Sequence, residues 1–432
     1  MSADRAGMPP TAAPWAAAGG EGATGATQTL QEKLARAKAM KPNLVVGDKV
    51  INTSVPDPAA GGRPSTATPF EQRQRVEQSH AHVVLSADGD DDESVFRAAK
   101  AEEEAARGEA AAQRQVLARV TVADPENPEE TLEFAVVEPF KAIKSKDDLE
   151  RFKQSKSYGL IKDFVLALND SCKGKKTRDE TRTPSESCQK IVGVLNKMSS
   201  WIDEIPPIDQ PMRYGNRAFR DWAVRAEAEL PALVEQMLPE ALRPAAPEIW
   251  PYLTASIGDK TRIDYGTGHE QMFVCFLAVL ARLSFLKMED AEVLALYVFK
   301  EYLALVRRLQ LTYKLEPAGS HGCWSLDDYQ FLPFMWGSAQ MINHASLLPS
   351  AIHDDLAVKS NADDCYYFHC VQFIRQVKSG SLAENSPMLN DISAVGSWQR
   401  VNNGMCKMFF AEVMGKFPVM QHMKFGSILP PP

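Results

Sequence analysis

Several features that would assign a chain quickly are missing here. Seven cysteines, at 172, 188, 275, 323, 365, 370 and 406, form no C-x-x-C pair and no zinc spacing, which leaves out a thioredoxin-type motif and a structural zinc site. An odd cysteine count suits reduced thiols better than a disulfide framework. Basic clusters are short: Lys173-Gly-Lys-Lys176 stands in a chain of net charge −8, and a general nucleic-acid binder needs more clustered cation than that. The longest apolar run, Met272 to Leu286, carries Arg282 and is too short to span a bilayer. The N-terminal stretch has no apolar signal core, and its early acids fit a transit peptide poorly. The expectation is a protein of the cytoplasm, with the nucleus left open, and without a membrane or nucleic-acid partner. No G-x-S-x-G elbow and no GK[ST] phosphate loop occur, and the eight histidines are scattered. Nucleophilic hydrolysis and an autonomous kinase or ATPase are therefore poor readings.

What is present divides unevenly. Residues 1–130 are rich in Ala, Gly, Glu and Pro and hold one of the seven tryptophans. They read as a low-complexity, largely disordered tail with short helices possible at Gln31–Met40 and Ser94–Arg119. From Phe140 onward apolar residues recur at helical spacing. The expected helices are 147–169, 185–205, 216–237, 239–256, 270–286, 289–313, 327–342, 365–378 and 399–416. Strand-like alternation is nearly absent, so the fold class is all-α, with a body over residues 135–432.

Two runs do not reduce to periodicity. The first, Arg262-Ile-Asp-Tyr-Gly-Thr-Gly-His-Glu270, ends where a helix begins. Glycines let the backbone turn tightly, and free N–H groups at a helix start attract anions. A phosphate site and a plain glycine turn with an Arg262–Asp264 pair both fit. The second, Tyr313 to Gln340, crowds aromatics among Pro317, Gly319 and Gly322. It reads as the shaped wall of a cleft rather than a plain core helix. Trp324, Tyr329, Phe331, Phe334 and Trp336 around Pro333 serve either core packing or the docking of a proline-containing peptide segment. Of the Asp327-Asp328 pair, Asp327 suits a helix cap, and Asp328 either caps or binds a hard cation.

These runs carry a family resemblance. Trp201-Ile-Asp-Glu-Ile-Pro-Pro207, Tyr214-Gly-Asn-Arg-Ala-Phe219, Arg262 to Glu270, Glu316 to Gln340, Asp391-Ile-Ser-Ala-Val395 and Lys416 to Ser427 follow in one order. Over about residues 135–432 the chain strongly resembles the activators of type 2A protein phosphatase, also called phosphotyrosyl phosphatase activators. The resemblance implies a helical core, linker and lid around a deep cleft, with ATP and Mg2+ bound between core and lid. It implies a peptidyl-prolyl cis-trans isomerase (rotamase) whose partner is the type 2A phosphatase catalytic subunit. Carried onto matching positions, the ATP contacts are Arg262, Ile263, Thr267 and Gly268 on one side, and Gln421, His422 and Phe425 on the other. Gly322, through its carbonyl, and Asp328 are the implied magnesium ligands.

The activity implied needs no nucleophile. An apolar cleft desolvates the X–Pro amide, and a donor stabilises the twisted state; no residue of the sequence can be named as that donor. The rival reading is a non-catalytic, ATP-dependent chaperone that stabilises a metal-loading conformation of the phosphatase.

Overall fold

Serines decide where several helices start, and one of them splits a helix that periodicity alone joins. In the computed structural model, which describes residues 115–125, 127, 129–211, 214–318 and 326–432, the expected 147–169 helix is two. Helix α1, Lys146–Lys153, starts at a Ser145/Asp148 capping box. Helix α2, Lys156–Ser171, starts afresh because the Ser155 hydroxyl accepts from the Tyr158 N–H. Ser185 caps α3, Glu186–Glu204, in the same way, through the Cys188 N–H. Pro206-Pro207 follows its end, where the chain leaves the helix.

Helix α4 spans Ala218–Met237. The expected 239–256 helix opens with a 3-10 turn, Glu240–Ala245, before α5, Ala246–Ala255. Helix α6, Thr267–Arg282, is buried at every residue from Glu270 to Leu280, so it runs through the interior rather than along a surface. The 289–313 stretch includes a π turn, Leu294–Val298, ahead of α7, Phe299–Tyr313. Helix α8 is shorter than expected, Leu332–Gln340, and every one of its residues is buried. Helices α9 (Asp355–Asn361), α10 (Tyr366–Val377), α11 (Leu382–Asn385), α12 (Pro387–Ser393), α13 (Trp398–Glu412) and α14 (Phe417–Met420) complete the series. No helix among the described residues is long and apolar enough to cross a membrane.

The helical fold expected from the sequence holds, with a correction at its start. Strands β1, Ala118–Ala123, and β2, Thr131–Val136, form an antiparallel hairpin, so alternation is present in a stretch partly given to the tail. Val120, Val122, Phe134 and Val136 are its buried face. Ala118 and Arg119, placed in a helix by propensity, are strand residues here; the rest of the proposed 94–119 helix, up to residue 114, and the 31–40 helix lie outside the described residues. Three two-residue strands matter for the site: β3, Phe140–Lys141, β4, Asp264–Tyr265, and β5, Glu316–Pro317. The last strand, β6, Lys424–Phe425, pairs antiparallel with β3, and β4 pairs parallel with β5.

Helix α8 packs against α10, α13 and α2. Its contacts with α2 and α13 are closed by a buried amide clamp. Asn169 and Asn402 exchange side-chain hydrogen bonds of 3.1 and 2.8 Å, and the Asn402 amide also donates to Met335 O at 2.9 Å and Ser338 Oγ at 3.0 Å. Removing one amide strands the other in an apolar interior. Asn402→Ala should therefore cost about 3 kcal/mol, read as a lower denaturant midpoint; a midpoint within error of the parent would show the clamp to be dispensable.

Candidate functional site

The glycine turn is built on Asp259. Its carboxylate Oδ1 accepts the Thr261 and Arg262 N–H groups at 2.9 Å each, and its carbonyl accepts Ile263 N–H at 2.7 Å. This winding puts Ile263 at φ +56°, a left-handed conformation that a β-branched residue adopts at a cost of about 1–3 kcal/mol. The Ile263 carbonyl then takes the Glu316 N–H at 2.9 Å, which starts the β4–β5 pairing. Gly266 follows because a Cβ there would lie 2.5 Å from Ala318 O. Only a bare backbone lets the turn pass that close.

Beyond Gly266 the chain enters α6 without a side-chain cap. Among the described residues the first-turn N–H groups of Thr267 and Gly268 have no acceptor, so the turn presents donors and the positive end of the helix dipole. Arg262 stands beside them, exposed at its tip. It donates to Asp264 through Nε at 2.6 Å and Nη2 at 3.2 Å, and Nη1 lies 3.2 Å from Asp259. Burial pushes the Asp264 carboxyl up, but the neighbouring His269 ring and the Arg262 hydrogen bonds outweigh it and hold it below the usual range. His269 Nδ1 lies 2.7 Å from Ala255 O and therefore carries the proton, which leaves Nε2 toward Asp264 at 3.7 Å.

The C-terminal segment closes on this turn. Helix α14 packs against α6, and a Cβ on Gly268 would meet Val419 Cγ1 at 3.3 Å. His422 is half-buried; burial, then Lys141, Arg262 and His269, push its pKa down. The fold thus brings Arg262, Thr267 and Gly268 together with Gln421 and His422 across a sequence gap of more than 150 residues. The Gln421 amide is turned to Pro418 O. Phe425 and Ile263 sit differently. The Phe425 ring is fully buried edge-on to Phe152, and Ile263 is 5% exposed, so both shape the turn from behind rather than offering a face to solvent.

The implied metal ligands are less complete. Gly322 lies outside the described residues. Asp328 is half-buried and accepts from Lys378 Nζ at 2.8 Å, so an ammonium already stands where a cation would. No group of three or more metal-ligating side chains occurs among the described residues. A nucleotide phosphate fits the free donors of the turn; a divalent cation fits Asp328 only by displacing Lys378.

The aromatic run resolves toward packing. Phe334 and Trp336 are fully buried, edge-on to Tyr367 and Phe299 respectively, and Phe331 meets Phe409. The segment that looked unlike a plain core helix becomes one from Leu332, because Pro333 falls in the first helical turn, where its missing N–H is harmless. Tyr329 alone of these four is only half-buried; its hydroxyl donates to Leu315 O.

One residue of the arrangement gave no sequence signal as a site residue. Glu270, fully buried, reads as an ordinary first-turn acid of α6, yet its Oε2 accepts the N–H groups of Phe331 and Leu332 at 2.8 and 2.9 Å. Asp327 Oδ1 takes the two preceding ones, Tyr329 and Gln330. Two carboxylates thus cap four consecutive N–H groups at the start of α8, and Glu270 ties the glycine turn to the Asp328 turn. Burial, with Asp327 nearby, lifts Glu270 to about 8 against the opposing hydrogen bonds and Arg307.

Comparison with known proteins bears on the family and the fold. The sequence profile described as phosphotyrosyl phosphate activator (PTPA) protein matches residues 139–431. The probable serine/threonine-protein phosphatase 2A activator 2 of Dictyostelium discoideum is 45% identical over 300 residues, 67% of this chain and 64% of that protein. The chain thus spans somewhat less than two thirds of that relative's length. The probable activator 1 of the same organism is 40% identical over 68% of this chain and 90% of its own. The Drosophila melanogaster activator is 38% identical over 67% of this chain and 72% of its own. A crystal structure described as the PP2A phosphatase activator Ypa1 PTPA1 superposes with a TM-score of 0.63 at 37% identity, covering 68% of this chain and 95% of that one.

Proposed function

Because the chain belongs to the phosphotyrosyl phosphate activator family, we propose that it activates the catalytic subunit of type 2A protein phosphatase. It does so as a peptidyl-prolyl cis-trans isomerase with ATP held at the glycine turn. The observation that carries the nucleotide part is the uncapped start of α6, a helix of 16 residues, with Arg262 and His422 beside its free N–H groups. Thr267 and Gly268 offer backbone donors to phosphate, Arg262 supplies charge, and Gln421 and His422 border the same space from the C-terminal segment. Asp328 is the described carboxylate left for magnesium, which neutralises phosphate charge when bound and takes the place of the Lys378 ammonium.

Isomerisation about an X–Pro bond breaks no covalent bond, and the described side chains suit that. Cys275, Cys365 and Cys370 are fully buried, and burial pushes each thiol up to about 12, so no reactive thiolate stands ready among them. The proline-containing segment belongs to the phosphatase, at the surface reached by Tyr329. Cytoplasmic residence follows the partner.

Recovery of an inactive type 2A catalytic subunit tests the reading. With ATP and Mg2+ the intact chain should restore activity well below one equivalent, and Asp328→Ala should lower the ATP-dependent rate about tenfold. Recovery that saturates at one equivalent would replace the isomerase with a chaperone acting by differential affinity. No recovery, from a subunit that a known activator restores, would sink both.

A further inference from the structure

The pairing of β3 with β6 sets two lysines against each other. In that antiparallel register Phe140 lies opposite Phe425 and Lys141 opposite Lys424. Phe425 points into the core, so the two lysines share the other face of the ribbon. Like charges directly opposite on paired strands are destabilising, and Lys424 is half-buried as well. Among the described residues neither lysine lies within ion-pair distance of a carboxylate. The nearby acids are largely engaged: Glu227 holds Lys260 at 2.5 Å, and Asp259 and Asp264 hold Arg262. Glu138 offsets Lys424 only in part, since burial and then Lys141 still press its pKa down. Strand β6 begins four residues after α14, which packs on the first turn of α6 through Val419, so this pair lies close to the glycine turn; His422, between them, feels Lys141, Arg262 and His269 together. Five basic groups therefore lie close together, while Asp259, Asp264 and Glu227 are already engaged by Arg262 and Lys260.

We propose that Lys141 and Lys424 form a phosphate-binding subsite continuous with the glycine turn, taking part of a polyphosphate chain whose other phosphates meet the free N–H groups of α6. The subsite rests on the nucleotide reading and extends it to two residues outside the turn. Lysine suits the task as a compact point charge on a phosphate oxygen. A phosphate bound between them sets two attractions against the single Lys141–Lys424 repulsion.

Titration calorimetry on the full chain, with ATP, tripolyphosphate and adenosine, tests this against Lys141→Ala, Lys424→Ala and the double variant. ATP and tripolyphosphate should each bind about tenfold more weakly per lysine removed, and adenosine binding should be unchanged. Without ligand the double variant should melt no lower than the parent, which separates lost binding from lost folding. ATP bound equally well by parent and double variant would overturn the subsite and leave the nucleotide reading standing. Tripolyphosphate bound by the parent as tightly as ATP, and lost in the double variant, would keep the subsite for free phosphate chains and remove the nucleotide. Binding of neither phosphate compound by the parent would overturn both.

Discussion

Gly337→Ala should cost at least about 3 kcal/mol and leave much of the protein unfolded at 37 °C. A Cβ at this position would lie 2.2 Å from Tyr367 N and 2.9 Å from Tyr367 Cα, both backbone-anchored atoms of α10. No rotamer relieves such a contact, so α8 and α10 must separate. That motion also pulls on Gln340, which accepts the Tyr366 N–H at 2.8 Å and donates to Lys175 O, Thr177 Oγ1 and Asp364 O. The helix-propensity gain of Ala over Gly, about 1 kcal/mol, is too small to compensate. Gly193→Ala is the control: it is also helical, and nothing lies within 4 Å of its Cβ position, so it should gain a few tenths to about 1 kcal/mol. Denaturant midpoints for the pair decide the matter. Equal midpoints would mean that α8 and α10 are not pressed together as described.

Glu270→Ala should cost about 3–5 kcal/mol, because it leaves the N–H groups of Phe331 and Leu332 buried without acceptors. Glu270→Gln separates the hydrogen bonds from the charge. The carboxyl is lifted from an ordinary 4.5 to about 8 by burial, then by Asp327, so the folded chain keeps a proton that the unfolded chain releases above its own pKa. Such a group favours folding at low pH, and its contribution is lost as pH rises from about 4.5 through about 8. Glu270→Gln keeps an acceptor for both N–H groups and cannot ionise. Its stability should therefore decline less than the parent's between pH 5 and 8.5, by roughly 1–3 kcal/mol over that window. Parallel pH profiles of parent and Gln variant would show that Glu270 stays ionised in the fold.

These two effects mark the boundary of what the sequence discloses. The helix start at Ser185 was legible, since capping geometry spans three residues, whereas the equally local restart at Ser155 was hidden by continuous apolar periodicity on both sides of it. The glycine turn was legible as a turn because Gly266, Thr267 and Gly268 stand next to each other in the chain. Its left-handed Ile263, set by the Asp259 winding, and its C-terminal neighbour Val419, set by long-range packing, were not, and His422 entered only through the family resemblance. Glu270 was misleading in a specific way. Its place in the first turn of α6 predicts a dipole partner, and the fold spends it on a helix 61 residues later. The reciprocal Asn169–Asn402 clamp, 233 residues apart, has no local signal. The aromatic run misled through composition: with Pro333 in the first turn, Phe334 and Trp336 line a helix buried on all sides, and that all-round burial leaves no period to read. The hairpin at 118–136 was readable by alternation of Val120 and Val122, but its neighbours' helix propensity outweighed two short strands.

The central claim is that phosphate bound at the start of α6 drives recovery of the phosphatase, and Gly268→Leu tests it most directly. A Cβ there would already meet Val419 Cγ1 at 3.3 Å, so the added side chain displaces the C-terminal segment that borders the start of α6. Recovery of inactive type 2A catalytic subunit should be ATP-dependent with the parent chain. With a Gly268→Leu variant of unchanged melting temperature, added ATP should accelerate recovery less than one tenth as much. Equal ATP acceleration by the two proteins would contradict the account and move the nucleotide away from the glycine turn.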